Sequence, residues 1–166
     1  MVLGGVIAGV MRGVTGLYDA VVQLDSAMTE LKKVTDETDT AYENFLSDAA
    51  TKAVQIGTTY ADFVDSTASF ARLGYNMEDA SQLSEVANIY AVVGDEVDGI
   101  DGATNSIIST MKAFGIEVDD TMSIVDKFNE VGNRFAISSG GIGEAMMRSA
   151  SAMAEANNTI DESIAL

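Results

Sequence analysis

The absence of proline is the feature that most limits what this chain can form. None occurs in 166 residues, although proline makes up about 5% of an average protein. Because proline is the residue that most often interrupts a helix, long helical segments remain possible throughout. Apolar residues recur at the three- and four-residue spacing of a helix face, most clearly at Val118, Met122, Val125, Phe128 and Val131.

Start and stop signals divide the sequence into helical segments. An N-capping side chain with an acidic residue three positions later marks starts at Thr59, Asn76 and Thr159. Glycines mark ends at Gly57, Gly74, Gly94, Gly115 and Gly132. The pattern predicts an all-α fold, a compact bundle or helical-hairpin array of about seven short to medium helices with no sheet.

One of these start signals recurs at a regular interval. Asn76, Glu117 and Thr159 are 41 and 42 residues apart, and each precedes an apolar residue and then two acids. The acids favour a helix N-terminus through the helix dipole. Two helices per roughly 41 residues is the scale of helical-hairpin repeats, so we expect a repeating unit.

Charge is distributed unevenly along the chain. The net charge is −17, and residues 1–34 contain three basic and three acidic side chains, so all of the excess lies in residues 35–166. Such a surface repels nucleic acid and anionic lipid over a Debye length of about 8 Å. We therefore expect no direct binding to nucleic acid.

The first 16 residues, MVLGGVIAGVMRGVTG, form an apolar, glycine-rich lead-in. Their uncharged run ends at Arg12, well before the roughly 20 residues that span a bilayer, and the charge order is not that of a signal peptide. We interpret residues 1–16 as the end of a longer helix and as the only segment that could contact a membrane. Residues 17–166 are predicted to be a helical region cut one turn after Thr159.

No group of residues predicts catalysis, a cofactor or a metal. The chain has no cysteine and no histidine. The acids near Asp98 fail the calcium-loop spacing, and SSGGIGE (138–144) has no lysine with which to hold a phosphate. Asp119 and Asp120 are adjacent in a helix start, which does not select them as a catalytic pair. The nine methionines fit core filling or a deformable interface equally well.

Several short motifs follow one another in a fixed order between Leu17 and Leu166. They are Leu24–Met28, Val34–Thr35, Phe70–Tyr75, Ala113–Ile116 with Asp119 and Asp120, Asn133 with Ser138–Met146, and Thr159–Leu166. In this order they resemble the conserved core region of phage tail tape measure proteins, and the Ala-Phe-Gly-apolar turn before an acid-rich helix start is the most specific element. The family often has a proline in a late connection, where this chain has Arg148–Ala152 instead.

The resemblance implies a non-enzymatic structural protein of a long phage tail that sets tail length during assembly and leaves with the genome. It further implies self-association and, as partners, the tail tube protein, the tail-tip proteins and assembly chaperones. The protein would lie in the tail lumen of the virion, and in the host cytoplasm during assembly. Its structural motif residues here would be Gly74, Phe114, Gly115, Asp119, Asp120, Gly143 and Glu144. The alternative is a generic acidic helical repeat module that binds a partner protein.

Overall fold

The computed structural model describes the backbone of residues 3–166 and the side chains of residues 16–166. This part of the chain forms eight α-helices, one 3-10 turn at Val118–Asp120, and no strand, which confirms the predicted all-α fold. The helices are α1 Leu3–Val34, α2 Asp39–Ile56, α3 Tyr60–Ala71, α4 Met77–Val93, α5 Gly99–Phe114, α6 Met122–Arg134, α7 Ser139–Glu155 and α8 Ile160–Ile164.

The helices form a hairpin array. From α2 onwards each helix packs against the next one in the chain, and every helix from α1 to α6 also packs against the next but one. The odd-numbered helices therefore stack in one row and the even-numbered helices in a second row. Successive units that contact mainly their neighbours are the arrangement of helical repeat proteins. Of the two predicted architectures, the structure has the array.

The same tight corner connects successive helices at four places. A residue in the left-handed region is followed by one further residue and then by the N-cap of the next helical segment, whose backbone is extended. The left-handed residues are Gly57 (φ 86°), Gly74 (φ 93°), Gly115 (φ 62°) and Asn157 (φ 66°), and the N-caps are Thr59, Asn76, Glu117 and Thr159. Glycine has no Cβ to oppose this backbone conformation, and asparagine tolerates it better than most residues. The predicted start sites at Asn76 and Thr159 are thus α-helix starts, whereas Glu117 begins the 3-10 turn that precedes α6.

One of the predicted helix ends is wrong, and another has a different backbone conformation from the one expected. Gly94 ends α4 as predicted, since it is the C-cap, but its φ is −80° and it opens a longer connection that runs to Asp98. Gly132 lies inside α6, which continues to Arg134. A Cβ on Gly132 would lie 3.1 Å from the Ser139 nitrogen, so glycine at this position allows α6 to approach the start of α7. Neither glycine adopts the left-handed conformation that ends a helix.

The first helix also differs from the prediction of short to medium helices, because α1 contains 32 residues. The Val118–Val131 stripe, by contrast, is divided. A 3-10 turn contains its first residue, Val118, and α6 begins only at Met122. The predicted apolar lead-in comprises residues 1–16. Except for Gly16, its side chains lie outside the described residues.

One apolar core runs through the array. It contains a fully buried residue from each of the first seven helices: Leu31, Ala49, Phe63, Leu83, Ile107, Ile124 and Ile142 are at most 4% exposed. At its centre, the rings of Tyr90 and Phe128 meet edge to face with centroids 5.8 Å apart. Burial of these side chains supplies the main driving force for folding.

A polar seam lies between α3 and α4 within this core. Asn88 donates to the Ser66 hydroxyl (2.9 Å) and to the Ser84 carbonyl (2.8 Å), and accepts from the Thr58 hydroxyl (2.8 Å). The Ser84 hydroxyl donates to the Phe63 carbonyl at 2.8 Å. Because buried polar groups are costly when unpaired, these bonds hold α3 and α4 in one register.

Candidate interaction surfaces

The glycine-rich segment at the start of α7 is a packing site. Ser138 is the N-cap, and its hydroxyl accepts from the Gly141 N–H at 3.0 Å. Gly140 donates its N–H to the Asp95 carbonyl at 2.9 Å. A Cβ on Gly140 would overlap the Glu96 carbonyl and lie 2.7 Å from the Val97 nitrogen. The absence of a side chain therefore lets the connection between α4 and α5 rest directly on the first turn of α7.

Gly143 serves the same purpose one turn later. A Cβ there would lie 2.6 Å from the Tyr90 hydroxyl and 2.8 Å from the Ser106 hydroxyl, so α7 can pack closely on α4 and α5. The Tyr90 hydroxyl donates to the Ser139 carbonyl at 2.6 Å. Burial raises the pKa of Tyr90, which keeps this phenol a hydrogen-bond donor.

A cavity of about 190 Å³ lies beside these contacts. Its charged lining residues are Glu96, Asp98 and Glu144, and Glu144 also pairs with Arg148. Three carboxylates would repel a phosphate. Among the side chains of residues 16–166, no three His, Cys, Asp or Glu residues are grouped so as to hold a metal ion. We find no catalytic arrangement here.

The motif residues at the third corner, which follows Gly115, occupy the end of α5 and the turn after it. Phe114 is the last residue of α5 and packs against the core, and Gly115 follows in the left-handed conformation. Asp119 and Asp120 are exposed in the 3-10 turn. Asp119 accepts a hydrogen bond from Gln82 of α4 at 3.1 Å. This hydrogen bond thus connects the acidic turn before α6 with α4.

The seven predicted motif residues lie in two groups at opposite ends of α5. The Lys112 ammonium lies 4.7 Å from the centre of the Tyr75 ring, which places the corners at Gly74 and Gly115 at the same end of the array. Gly143 lies instead near Ser106, in the first half of α5. The structure does not bring these residues together into one site.

Ion pairs connect helices two apart in the array. Arg72 pairs with Glu30 at 2.9 Å between the end of α3 and α1, and Lys52 pairs with Glu85 at 3.0 Å between α2 and α4. Lys127 pairs with Asp161 between α6 and α8. Because basic residues are few and six of those in the described side chains pair with acids of the same chain, the surface left to a partner is strongly acidic.

Two apolar surfaces remain exposed in the described part of the chain. The first is on α1, where residues 16–23 are exposed and include Leu17, Tyr18, Val21 and Val22. The second surrounds a groove of about 390 Å³ lined by Phe135, Ile137, Ile164 and Leu166, among others. The sequence stripe Leu17–Leu31 correctly indicated a helix face, but only Leu24, Met28 and Leu31 of that stripe pack against the core.

None of the described helices combines the length and apolarity needed to cross a bilayer. The prediction that any membrane contact involves residues 1–16 falls almost wholly on side chains outside the described residues.

Comparison with known proteins defines the chain's family. Residues 46–166, from within α2 to the last residue, match the family described as phage-related minor tail protein. No solved structure matches the chain. The match covers well over half of the sequence and all of the hairpins from α3 onwards. The chain therefore belongs to the phage-related minor tail protein family and has a structural, virion-associated role in a phage tail.

Proposed function

We propose that this chain is the core region of a tape measure protein, which sets the length of a long phage tail during assembly and leaves with the genome. Membership of the minor tail protein family carries the proposal. The motif resemblance at Ala113–Ile116 and Asp119–Asp120 adds the finer assignment. In this proposal the seven motif residues keep the corners and close contacts of the core region in shape.

The architecture supports a division of labour along such a protein. A single helix advances about 1.5 Å per residue, so an extended helix such as α1 is an efficient ruler. In the array each hairpin of roughly 41 residues is folded back on itself and adds about one interhelical distance, 8–10 Å. We infer that residues 17–166 contain a folded body, and that extended helix in the parent protein accounts for most of the measured length.

The proposed partners follow from this position in the tail. They are other copies of the same chain, the tail tube protein, the tail-tip proteins and the assembly chaperones. The chain would occupy the tail lumen in the virion and the host cytoplasm during assembly. A net charge of −17 disfavours retention on DNA during ejection. Micromolar or tighter binding to duplex DNA at low salt would contradict this part of the proposal.

The test is to change the gene in the phage and to measure tails by electron microscopy. Insertion of 28 helix-forming residues between Gly16 and Leu17 lengthens α1 by about 42 Å and keeps its heptad register. We expect tails that are longer by about that amount. Tails of unchanged length would refute the length-setting function.

A second insertion tests whether tail length depends on extended helix or on the folded body. Duplication of residues 76–116 adds more residues than the α1 insertion, yet we expect it to lengthen the tail by only about 10 Å, because the new hairpin stacks within the array. An increase of about 60 Å would mean that the hairpins unfold into continuous helix inside the tail. The genes on either side provide a further check, since tail tube and tail-tip genes should flank this one.

A further inference from the structure

The two rows of the array are packed to different degrees. In the odd-numbered row, the backbones of α1 and α3 and those of α5 and α7 approach closely along much of their length, and α3 and α5 do so less. In the even-numbered row, successive helices approach at only a few residues. A stack of helices that is closer on one side than on the other is curved, so the even-numbered row lies on the convex side.

Small side chains account for the closely packed row. A Cβ on Gly143 of α7 would lie 2.8 Å from the Ser106 hydroxyl of α5, so glycine allows these two helices to approach. In the other close pair, α1 buries Ala27 at 5% exposure and α3 buries Ala68 completely. Because protein interiors are already close-packed, helices this near to each other have no room to approach further. The odd-numbered row is therefore the fixed side of the array.

The even-numbered row is open at its surface. A cleft of about 440 Å³ lies between α2, α4 and the start of α6, and its apolar lining residues are Val86, Val118 and Met122. The groove of about 390 Å³ described above forms a second cleft, between α6 and α8. In the core, the rings of Tyr90 and Phe128 join α4 to α6. The clefts therefore separate the outer surfaces of these helices and leave their buried contacts intact.

Among the described side chains, one polar tie crosses the surface between each pair of successive even-numbered helices. The ties are Lys52–Glu85 between α2 and α4 (3.0 Å), Gln82–Asp119 between α4 and the turn before α6 (3.1 Å), and Lys127–Asp161 between α6 and α8. The side chain of Lys52 is 25% exposed and that of Asp161 is 69% exposed. Ion pairs in contact with solvent hold helices together only weakly. Each tie can therefore break and re-form without disruption of the core.

Acidic residues outnumber basic residues in both clefts. The lining acids are Glu78, Glu85 and Asp119 in the first cleft and Glu130 and Asp161 in the second. Each cleft is lined by a single lysine, Lys52 or Lys127. Because like charges repel, the acids favour a wider cleft and the lysine holds it narrow.

We propose that the array bends about its odd-numbered row. The clefts of the even-numbered row widen and narrow while every helix stays intact, and the three ties set the curvature. Such a motion combines small hinge and shear movements of packed helices. It changes the length of the even-numbered row and leaves that of the odd-numbered row constant. This bending is independent of the length-setting function.

Paired nitroxide labels measure the two rows separately, because the natural chain has no cysteine. Ser47→Cys and Asp126→Cys label α2 and α6 of the even-numbered row. Asp25→Cys and Asn105→Cys label α1 and α5 of the odd-numbered row. All four residues are exposed and line neither cleft. In pulsed electron paramagnetic resonance we expect a broader distance distribution for the even-numbered pair than for the odd-numbered pair.

Removal of two ties then tests what sets the curvature. Lys52→Met with Gln82→Ala removes both ties between α2 and α6. Arg148→Met with Gln55→Ala is the matched control, since it makes the same change in charge, yet Arg148 pairs with Glu144 within α7 and Gln55 is exposed on α2. Packed helices lie about 8–10 Å apart, so two freed clefts should lengthen the even-numbered distance by about 4 Å in the tie variant alone. Added salt should shorten it again, because salt screens repulsion between the acids.

Several outcomes would overturn the proposal. One is a natural chain in which the two label pairs have distributions of equal width. Another is a tie variant whose even-numbered distance equals that of the control. Equal lengthening in both rows would show a general loosening in place of bending. A tie variant that loses helix content in circular dichroism would show that the ties hold the fold itself and not its curvature.

Discussion

Two adjacent glycines at the start of α7 should respond very differently to the same small change. A methyl group on Gly140 would overlap the carbonyl group of Glu96, and backbone atoms cannot move aside as a flexible side chain can. A methyl group on Gly141 would meet the Ser138 hydroxyl at 3.1 Å and the Ile137 side chain at 3.5 Å. Both positions lie in the first turn of one helix, so the Gly141→Ala variant is a matched control.

The magnitude follows from three contributions. Overpacking at Gly140 costs about 1–3 kcal/mol, and separation of the connection from α7 loses the hydrogen bond to Asp95, about 0.5–1.5 kcal/mol. Alanine returns up to about 1 kcal/mol of helix propensity. We expect Gly140→Ala to lower the free energy of unfolding by about 2–3 kcal/mol. Gly141→Ala should leave it within about 1 kcal/mol of the wild-type value.

Thermal and urea unfolding followed by circular dichroism measure this difference. For a chain of this length, 1 kcal/mol corresponds to about 2–4 °C, so a loss of 2–3 kcal/mol should lower the Tm of Gly140→Ala by roughly 4–12 °C. Hydrogen exchange should show faster exchange in residues 94–98 and in the first turn of α7 for Gly140→Ala alone. Equal stability of the two variants would refute the close-approach explanation, and with it our account of why this segment is rich in glycine.

Four further substitutions test the corners, the polar seam and the acidic surface, each by denaturant unfolding. Gly115→Ala should destabilise the fold by about 1 kcal/mol, because the left-handed conformation is strained for alanine, whereas Asn157→Gly should stabilise it by up to about 1 kcal/mol. Shifts of the same sign would contradict the corner geometry. Asn88→Ala should cost about 2–4 kcal/mol, because it removes the buried amide that bonds to the Ser66 hydroxyl and the Ser84 carbonyl and leaves the Thr58 hydroxyl without its partner. A neutral result would show that the seam does not hold the two helices. Burial, with nearby acids, raises the pKa of Asp65 above its ordinary value, so its charge destabilises the fold at neutral pH. Asp65→Asn should therefore increase the free energy of unfolding at pH 7. This gain should disappear as the pH falls below the ordinary range of an aspartate.

Local signals in the sequence were sufficient for the helices and most of their boundaries. The capping box at Thr159 and Glu162 is formed by both hydrogen bonds that its pattern requires. Gly74 and Gly115 end their helices in the left-handed conformation that glycine permits. These features depend on residues three or four positions apart, and such short-range interactions can be inferred without knowledge of the fold.

Gly132, Gly140 and Gly143 show where that reasoning stopped, because none of these three glycines ends a helix. In the sequence a glycine that ends a helix looks the same as a glycine that admits a neighbouring backbone. Gly140 is needed because of Glu96, 44 residues earlier in the chain, and Gly143 because of Tyr90 and Ser106. Only the packing of α7 on α4 and α5 brings these residues together.

The sequence by itself determined that the chain is all helical, where most helices begin, and that its charge lies after residue 34, because these properties depend on composition and on neighbours along the chain. The tertiary structure alone decided that the helices form two rows and that α1 extends past α3 with Leu17 and Val21 exposed. A hydrophobic stripe records that a helix has an apolar face, but the partner of that face depends on which elements the folded chain places beside it.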